Sequence, residues 1–132
     1  MNEEQTEIKE QKVEIEDIGI GEDKPMFEEG RYVVIGSEVE PVVINTKEQH
    51  KVSFVLEKED KQVKCNSTRF LQNKKVKDSG IWLKYDNEHK ILFRSALGNL
   101  LRFYKKNKIK DLIGNQVDTV LQESGYLAIK AY

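Results

Sequence analysis

Apolar and polar residues alternate through most of this chain. In HKVSFVLEKED (50–60), Val52, Phe54 and Leu56 alternate with Lys51, Ser53 and Glu57, the period of a strand with one buried face. A charged turn from Lys58 to Lys61 follows, and QVKCNSTRFL returns as the second arm of a hairpin. Upstream, RYVVIG (31–36) is rich in β-formers. After a bend, EVEPVVI (38–44) continues that strand past an irregularity at Pro41, because proline has no amide to give a central ladder. Downstream, the low-apolar connection QNKKVKDSG (72–80) leads to a second hairpin, IWLKYD (81–86) and KILFRS (90–95) around a turn at residues 86–89. NQVDTVLQ (115–122) and YLAIKAY (126–132) make a last hairpin around residues 123–125.

One stretch changes period. Ser95 precedes ALGNLLRFYKK, in which Leu97, Leu100, Leu101 and Tyr104 fall on one helical stripe, and its hydroxyl suits an N-cap. The helix is predicted from Ala96 to about Asn107, weakened at Gly98 by about 1 kcal/mol relative to alanine. A short turn over IKDLI (109–113) stops at Gly114.

The order is therefore four or five strands, a helix, then two strands, with connections short enough for antiparallel pairing throughout. A small sheet that must hide its edges curls into a barrel, which predicts a mostly β fold: a small antiparallel OB-like β-barrel with its main helix before the C-terminal hairpin. The residues from Ser95 to Tyr132 carry a Ser-x-Leu-x-x-Leu helix start in Ser95, Leu97 and Leu100, then a Leu-Ile-Gly-x-x-Val step in Leu112, Ile113, Gly114 and Val117. In this last third the chain resembles small OB-fold proteins of phages, archaeal viruses and other mobile elements. That resemblance implies a replication or recombination accessory protein that binds single strands, and it identifies no catalytic residue.

Charge divides the chain. Residues 1–29 hold 11 acidic residues against three lysines, a net charge of −8, and residues 30–132 hold 19 basic against 12 acidic, or +7. Residues 1–28 are expected to be an acidic, disordered arm on a domain spanning 29–132. The arm is either solubilising or a competitor for the anion that the body binds. KVEIEDIGI (12–20) alternates apolar and acidic positions, which suits docking as an edge strand on a partner or on the body itself. The arm also offers a surface to a basic protein partner.

Little in the chain suggests catalysis. His50 and His89 fall at strand starts or turn edges beside lysines, where histidine is solvated. The single cysteine, Cys65, reads as a small buried hydrophobe, forms no internal disulfide, and fits a reducing compartment. Glu57, Glu59 and Asp60 lie at a hairpin turn and read as solvated rather than as metal ligands. No glycine-rich phosphate loop, zinc-ligand spacing, cofactor motif, membrane span or secretory leader is legible, so a cytoplasmic, non-enzymatic protein with no cofactor is expected.

Three stretches combine cations with planar side chains, the mixture that holds a phosphate backbone and stacks bases. They are Arg69, Phe70, Lys74, Lys75 and Lys77; Trp82 and Lys84; and Arg102, Lys105 and Lys106 on the helix. The helical cations have a second explanation, because lysines in a last turn are what the helix dipole favours. Phe70 and Trp82 face either the core or a ligand. Trp82 and Lys84 share one face of their strand, which leaves Ile81, Leu83 and Tyr85 as the core set. The expected function is sequence-tolerant binding of single-stranded nucleic acid, DNA ahead of RNA, with the acidic arm as regulator. The alternative is a virus- or plasmid-encoded interaction module that inhibits or adapts a host factor.

Overall fold

A computed structural model of the chain describes residues 14–21 and 27–132. Most of the arm expected over residues 1–28 lies outside these. Among the described residues the fold is mostly β with one α-helix, and eight strands form one sheet that does not close into a barrel. In chain order the strands are β1 (Gly30–Ile44), β2 (Lys47–Lys58), β3 (Lys61–Cys65), β4 (Ser67–Gln72), β5 (Lys75–Gly80), β6 (Trp82–Leu83), β7 (Gln116–Leu121) and β8 (Leu127–Ala131). The helix α1 (Ala96–Phe103) lies between β6 and β7. No helix among the described residues is long and apolar enough to cross a membrane.

The ladders run β3-β2-β1-β7-β8-β4-β5, with β6 attached to β2. This open path departs from the predicted barrel for a local reason. QVKCNSTRFL was expected as a single strand, but it breaks at Asn66 into β3, which pairs with β2, and β4, which pairs with β8, so no ladder joins the two ends of the path. The β4–β8 pairing is parallel, against the expectation of antiparallel ladders throughout. It is stabilised by Thr68, whose buried hydroxyl donates to the Ile129 carbonyl at 2.8 Å.

Both halves of RYVVIG and EVEPVVI belong to β1. The irregularity is a register shift between Val34 and Gly36 rather than at Pro41, which keeps its place opposite His50. A one-residue slip exchanges the faces. Tyr32 and Val34 point into the core before the shift, whereas beyond it Val39, opposite buried Val52, is exposed with Val43 and Ile44 on a hairpin that outruns the rest of the sheet. Beyond Val33, β1 is laddered only to β2 among the described residues, and proline is tolerated at such an edge.

The core is the set that alternation marks on β2 (Val52, Phe54, Leu56) and β8 (Leu127, Ile129, Ala131), closed by Ile81 and the helical leucines Leu97, Leu100 and Leu101. Tyr104 packs on it half-buried, its hydroxyl donating to the Lys130 carbonyl at 2.7 Å and accepting from the Asp118 amide at 3.1 Å. Two further expectations fail. The connection over 72–80 contains β5, paired residue for residue with β4. KILFRS is not a strand: Asp86 Oδ1 accepts the amides of Glu88 and Lys90 and closes a turn, leaving a single bridge between Tyr85 and Ile91. The loop 84–95 then crosses α1, and Gly98 is the helix residue beneath it.

Candidate nucleic-acid interface

The cationic residues expected to form one interface do not all meet. Arg69 lies on β4 and is held by Asp78 across the β4–β5 ladder, with N–O distances of 2.7 and 3.2 Å; the hydrogen bond to this carboxylate raises its pKa. Phe70 belongs to the core, 5% exposed, and is withdrawn from the stacking set because β4 turns it toward the helix side of the sheet, where it joins the leucine cluster. Lys74, Lys75 and Lys77 are exposed at the tip and along β5, Lys77 donating to Gln72 at 3.0 Å. Trp82 is half-buried beside β2, with Lys51 Nζ 4.3 Å from its ring centroid. Gly80 leaves room for that stack, since a Cβ there would stand 2.6 Å from the lysine nitrogen. Tyr85, expected in the core, is 53% exposed because the Asp86 turn lifts it off the sheet. Leu83 packs against the core as expected.

Lys84 and Arg102 both lie near Phe93, on a surface that includes residues absent from the expected set. Arg102 Nη2 donates to the Phe93 carbonyl at 2.8 Å and to Asn99 Oδ1 at 3.3 Å, and its guanidinium lies 3.7 Å from the Phe93 ring centroid. Phe93 nevertheless remains 67% exposed. Along one side of Arg102 runs a shallow, largely apolar depression of about 500 Å³ lined by Lys84, Leu92, Phe93, Arg94 and Ser95. On the other is one of about 360 Å³ lined by Leu71, Asn99, Arg102, Phe103, Ala131 and Tyr132. Arg102 lines the second and stacks on Phe93 of the first, and the two depressions with this residue between them are the candidate groove.

The helix end that carries Lys105 and Lys106 has its own local cause. Lys105 is left-handed at φ 59°, its amide donates to the Arg102 carbonyl, and the Lys106 amide donates to the Leu101 carbonyl at 2.8 Å. This Schellman pair stops α1 at Phe103 instead of near Asn107.

The stretch of chain that contributes these residues also holds the positive excess. Residues 67–115 contain twelve basic and four acidic residues, an excess of eight, whereas residues 30–66 balance at six of each and 116–132 hold one basic and two acidic. Among the described residues, Arg69 alone of those twelve has a carboxylate within 4.0 Å. By contrast, on the outer face of the β1–β3 strands Lys64 is committed to Glu38 at 3.0 Å and Glu40 at 3.4 Å.

The sequence reading overlooked Phe93, Arg94, Phe103, Leu71 and Tyr132. One signal was present: Phe103 falls off the Leu97–Leu100–Leu101–Tyr104 stripe, and an aromatic on the wet side of a helix suggests a surface role. Leu71 and Tyr132 carried no such signal, because the parallel β4–β8 ladder that brings them beside α1 has no local signature. Cys65, the last residue of β3, is buried in the core, and burial pushes its thiol up to about 11, which keeps it neutral and unreactive at physiological pH. Comparison with protein-family models, curated proteins and solved structures gives no match, so the geometry of the groove carries the functional reading.

Proposed function

We propose that the protein is a sequence-tolerant binder of single-stranded nucleic acid, DNA ahead of RNA, acting inside the cell without catalysis, and that its acidic arm regulates the site. The observation that carries this reading is the exposed Phe93 ring beneath Arg102, flanked by Lys84, Arg94 and Phe103, on the stretch that holds the body's entire positive excess. Cations follow a phosphate backbone, and an open aromatic face stacks a base regardless of its identity. Lys74, Lys75, Lys77, Lys105 and Lys106 extend the positive field around the groove.

An OB-like architecture fits this role. The chain from β3 through Asn66 to β4 behaves as one bent strand whose first half pairs with β2 and whose second half runs parallel to β8. Meanwhile β7 pairs with β1, and the helix precedes the β7–β8 hairpin. This order of pairings, in a sheet that stays open, supports an OB-like reading of the architecture and with it the binding of single strands.

Fluorescence anisotropy of a labelled oligothymidine, titrated with the full chain at low and moderate salt, tests the proposal. Binding should weaken as salt rises. Phe93→Ala should weaken it by about 5- to 150-fold, the equivalent of 1–3 kcal/mol of stacking, with an unchanged circular dichroism spectrum. Absence of binding at low salt, both in the native chain and in one whose arm carboxylates are replaced by amides, would overturn the reading. That result would favour an interaction module, for which the projecting β1–β2 hairpin supplies exposed Val39, Val43 and Ile44 beside an edge of β1 unpaired among the described residues.

A further inference from the structure

The short segment upstream of the sheet has a shape and charge that complement the groove. Ile15–Asp17 forms one 3-10 turn, with the Asp17 amide donating to the Glu14 carbonyl at 2.9 Å and the Ile18 amide to the Ile15 carbonyl at 3.2 Å. Three residues per turn stack Ile15 and Ile18 on one side and leave Glu16 and Asp17 on the others. Ile15, Ile18 and Ile20 are 82%, 65% and 102% exposed. From Glu14 to Ile20 the chain has three acidic residues and no basic one. An apolar stripe with carboxylates beside it needs an apolar trough with a cationic rim.

The groove along α1 has that composition, and it lies within reach. Phe27 is anchored on Tyr126, their ring centroids 6.0 Å apart, at the start of β8, and Tyr132 at the other end of β8 lines the depression of Leu71 and Phe103. At about 3.4 Å per residue, the stretch from Tyr126 to Tyr132 is about 20 Å long. The six positions between Ile20 and Phe27 span at most about 25 Å when extended. Ile20 therefore reaches the near depression, with Ile18 and Ile15 continuing toward Phe93. The unpaired edge of β1 is a poorer host, because Glu38 and Glu40 on that strand would face the segment's own carboxylates.

We propose that Glu14–Ile20 is a ligand of the groove in its own chain: Ile20 sits against Leu71, Phe103 and Tyr132, Ile18 and Ile15 lie toward Phe93, and the three carboxylates face Arg102 and Arg94. The contact needs no nucleic acid; its consequence, competition with a single strand for the same cations and rings, rests on the function proposed above.

The test uses the full chain with a nitroxide at Gly21→Cys, a position with nothing within 4 Å of an added Cβ, while buried Cys65 is left unlabelled. Paramagnetic broadening should appear at the amides of Leu71, Asn99 to Phe103 and Ala131 without any oligonucleotide, and it should vanish in an Ile15→Ser/Ile18→Ser/Ile20→Ser variant. Broadening that centres elsewhere, or survives the triple substitution, overturns the proposal. So does broadening that appears only in isotope-labelled chains mixed with spin-labelled ones, which would place the segment on a second copy. If a single strand uses the groove, the triple variant also binds oligothymidine on the order of fivefold more tightly or better. Broadening in a chain that binds no oligonucleotide leaves this inference standing and removes only the nucleic-acid function; binding without broadening does the reverse.

Discussion

Gly98 is a residue at which propensity and packing oppose each other. In an isolated helix alanine would gain about 1 kcal/mol over glycine. Here a Cβ would stand 2.7 Å from the Phe93 carbonyl oxygen and closer still to that of Leu92, both of them backbone atoms of the loop that crosses α1. Overlap with backbone cannot be relieved by a rotamer, and overpacking of this kind costs about 1–3 kcal/mol. Gly98→Ala is therefore expected to lower the thermal midpoint, by about 4–8 °C per kcal/mol in a domain of this size, and to displace Phe93 from beneath Arg102. A thermal melt checks the first effect and oligothymidine affinity the second; a midpoint equal to or above that of the native chain would show that helix propensity prevails. The sequence displays glycine's cost in a helix and hides its reason, because the carbonyls it accommodates belong to residues outside the helical stripe. Phe70, Tyr85 and Phe93 are opaque for a related cause. An aromatic in an alternating run has two faces to choose from, and the Asn66 break and the Asp86 turn decide the choice.

At the scale of elements, long periodic segments were readable and chain junctions were not. The inward residues of β2 and β8, the Ser95 cap and the turn over 109–113 follow from period and capping chemistry; Ser95 Oγ accepts the Gly98 amide at 3.0 Å. β5 was not readable, since KVKDSG has one apolar side chain and owes its strand to pairing with β4. The end of α1 was misplaced by a turn because its stop is a lysine in a position that glycine ordinarily fills. Lys105 at φ 59° retains the left-handed conformation only because the two Schellman hydrogen bonds hold it there. Lys105→Gly should thus stabilise the fold by about 0.5–1 kcal/mol, read as a rise of a few degrees in the thermal midpoint, and Lys105→Ala should not. Equal midpoints for the two variants would mean that the left-handed residue carries no strain worth relieving. Because the substitution also removes a cation near the groove, stability and oligonucleotide affinity should move in opposite directions.

Across the whole molecule the division of charge is legible, but its position in space is not. Counting residues reveals an acidic segment and a basic body. Only the topology shows that β4, β8 and α1 converge, with Lys84, Arg94 and Arg102 of that excess lining the two depressions, while the β1–β3 strands balance their own charge. This convergence makes a quantitative prediction. Each phosphate neutralised by a cation on a single strand steepens the fall of log affinity with log salt by about 0.7. Replacing Lys84, Arg94 and Arg102 together with glutamine should flatten that slope by about 2 and weaken binding at low salt. Replacing Lys47, Lys58 and Lys61, which lie on β2 and β3 among compensating acids, removes the same charge from the wrong place and should leave the slope nearly unchanged. If both triples flatten it equally, the interaction reads net charge alone and the groove is not the site. If only the second does, the strand runs across β2 and β3, and Trp82 beneath Lys51 becomes the stacking platform.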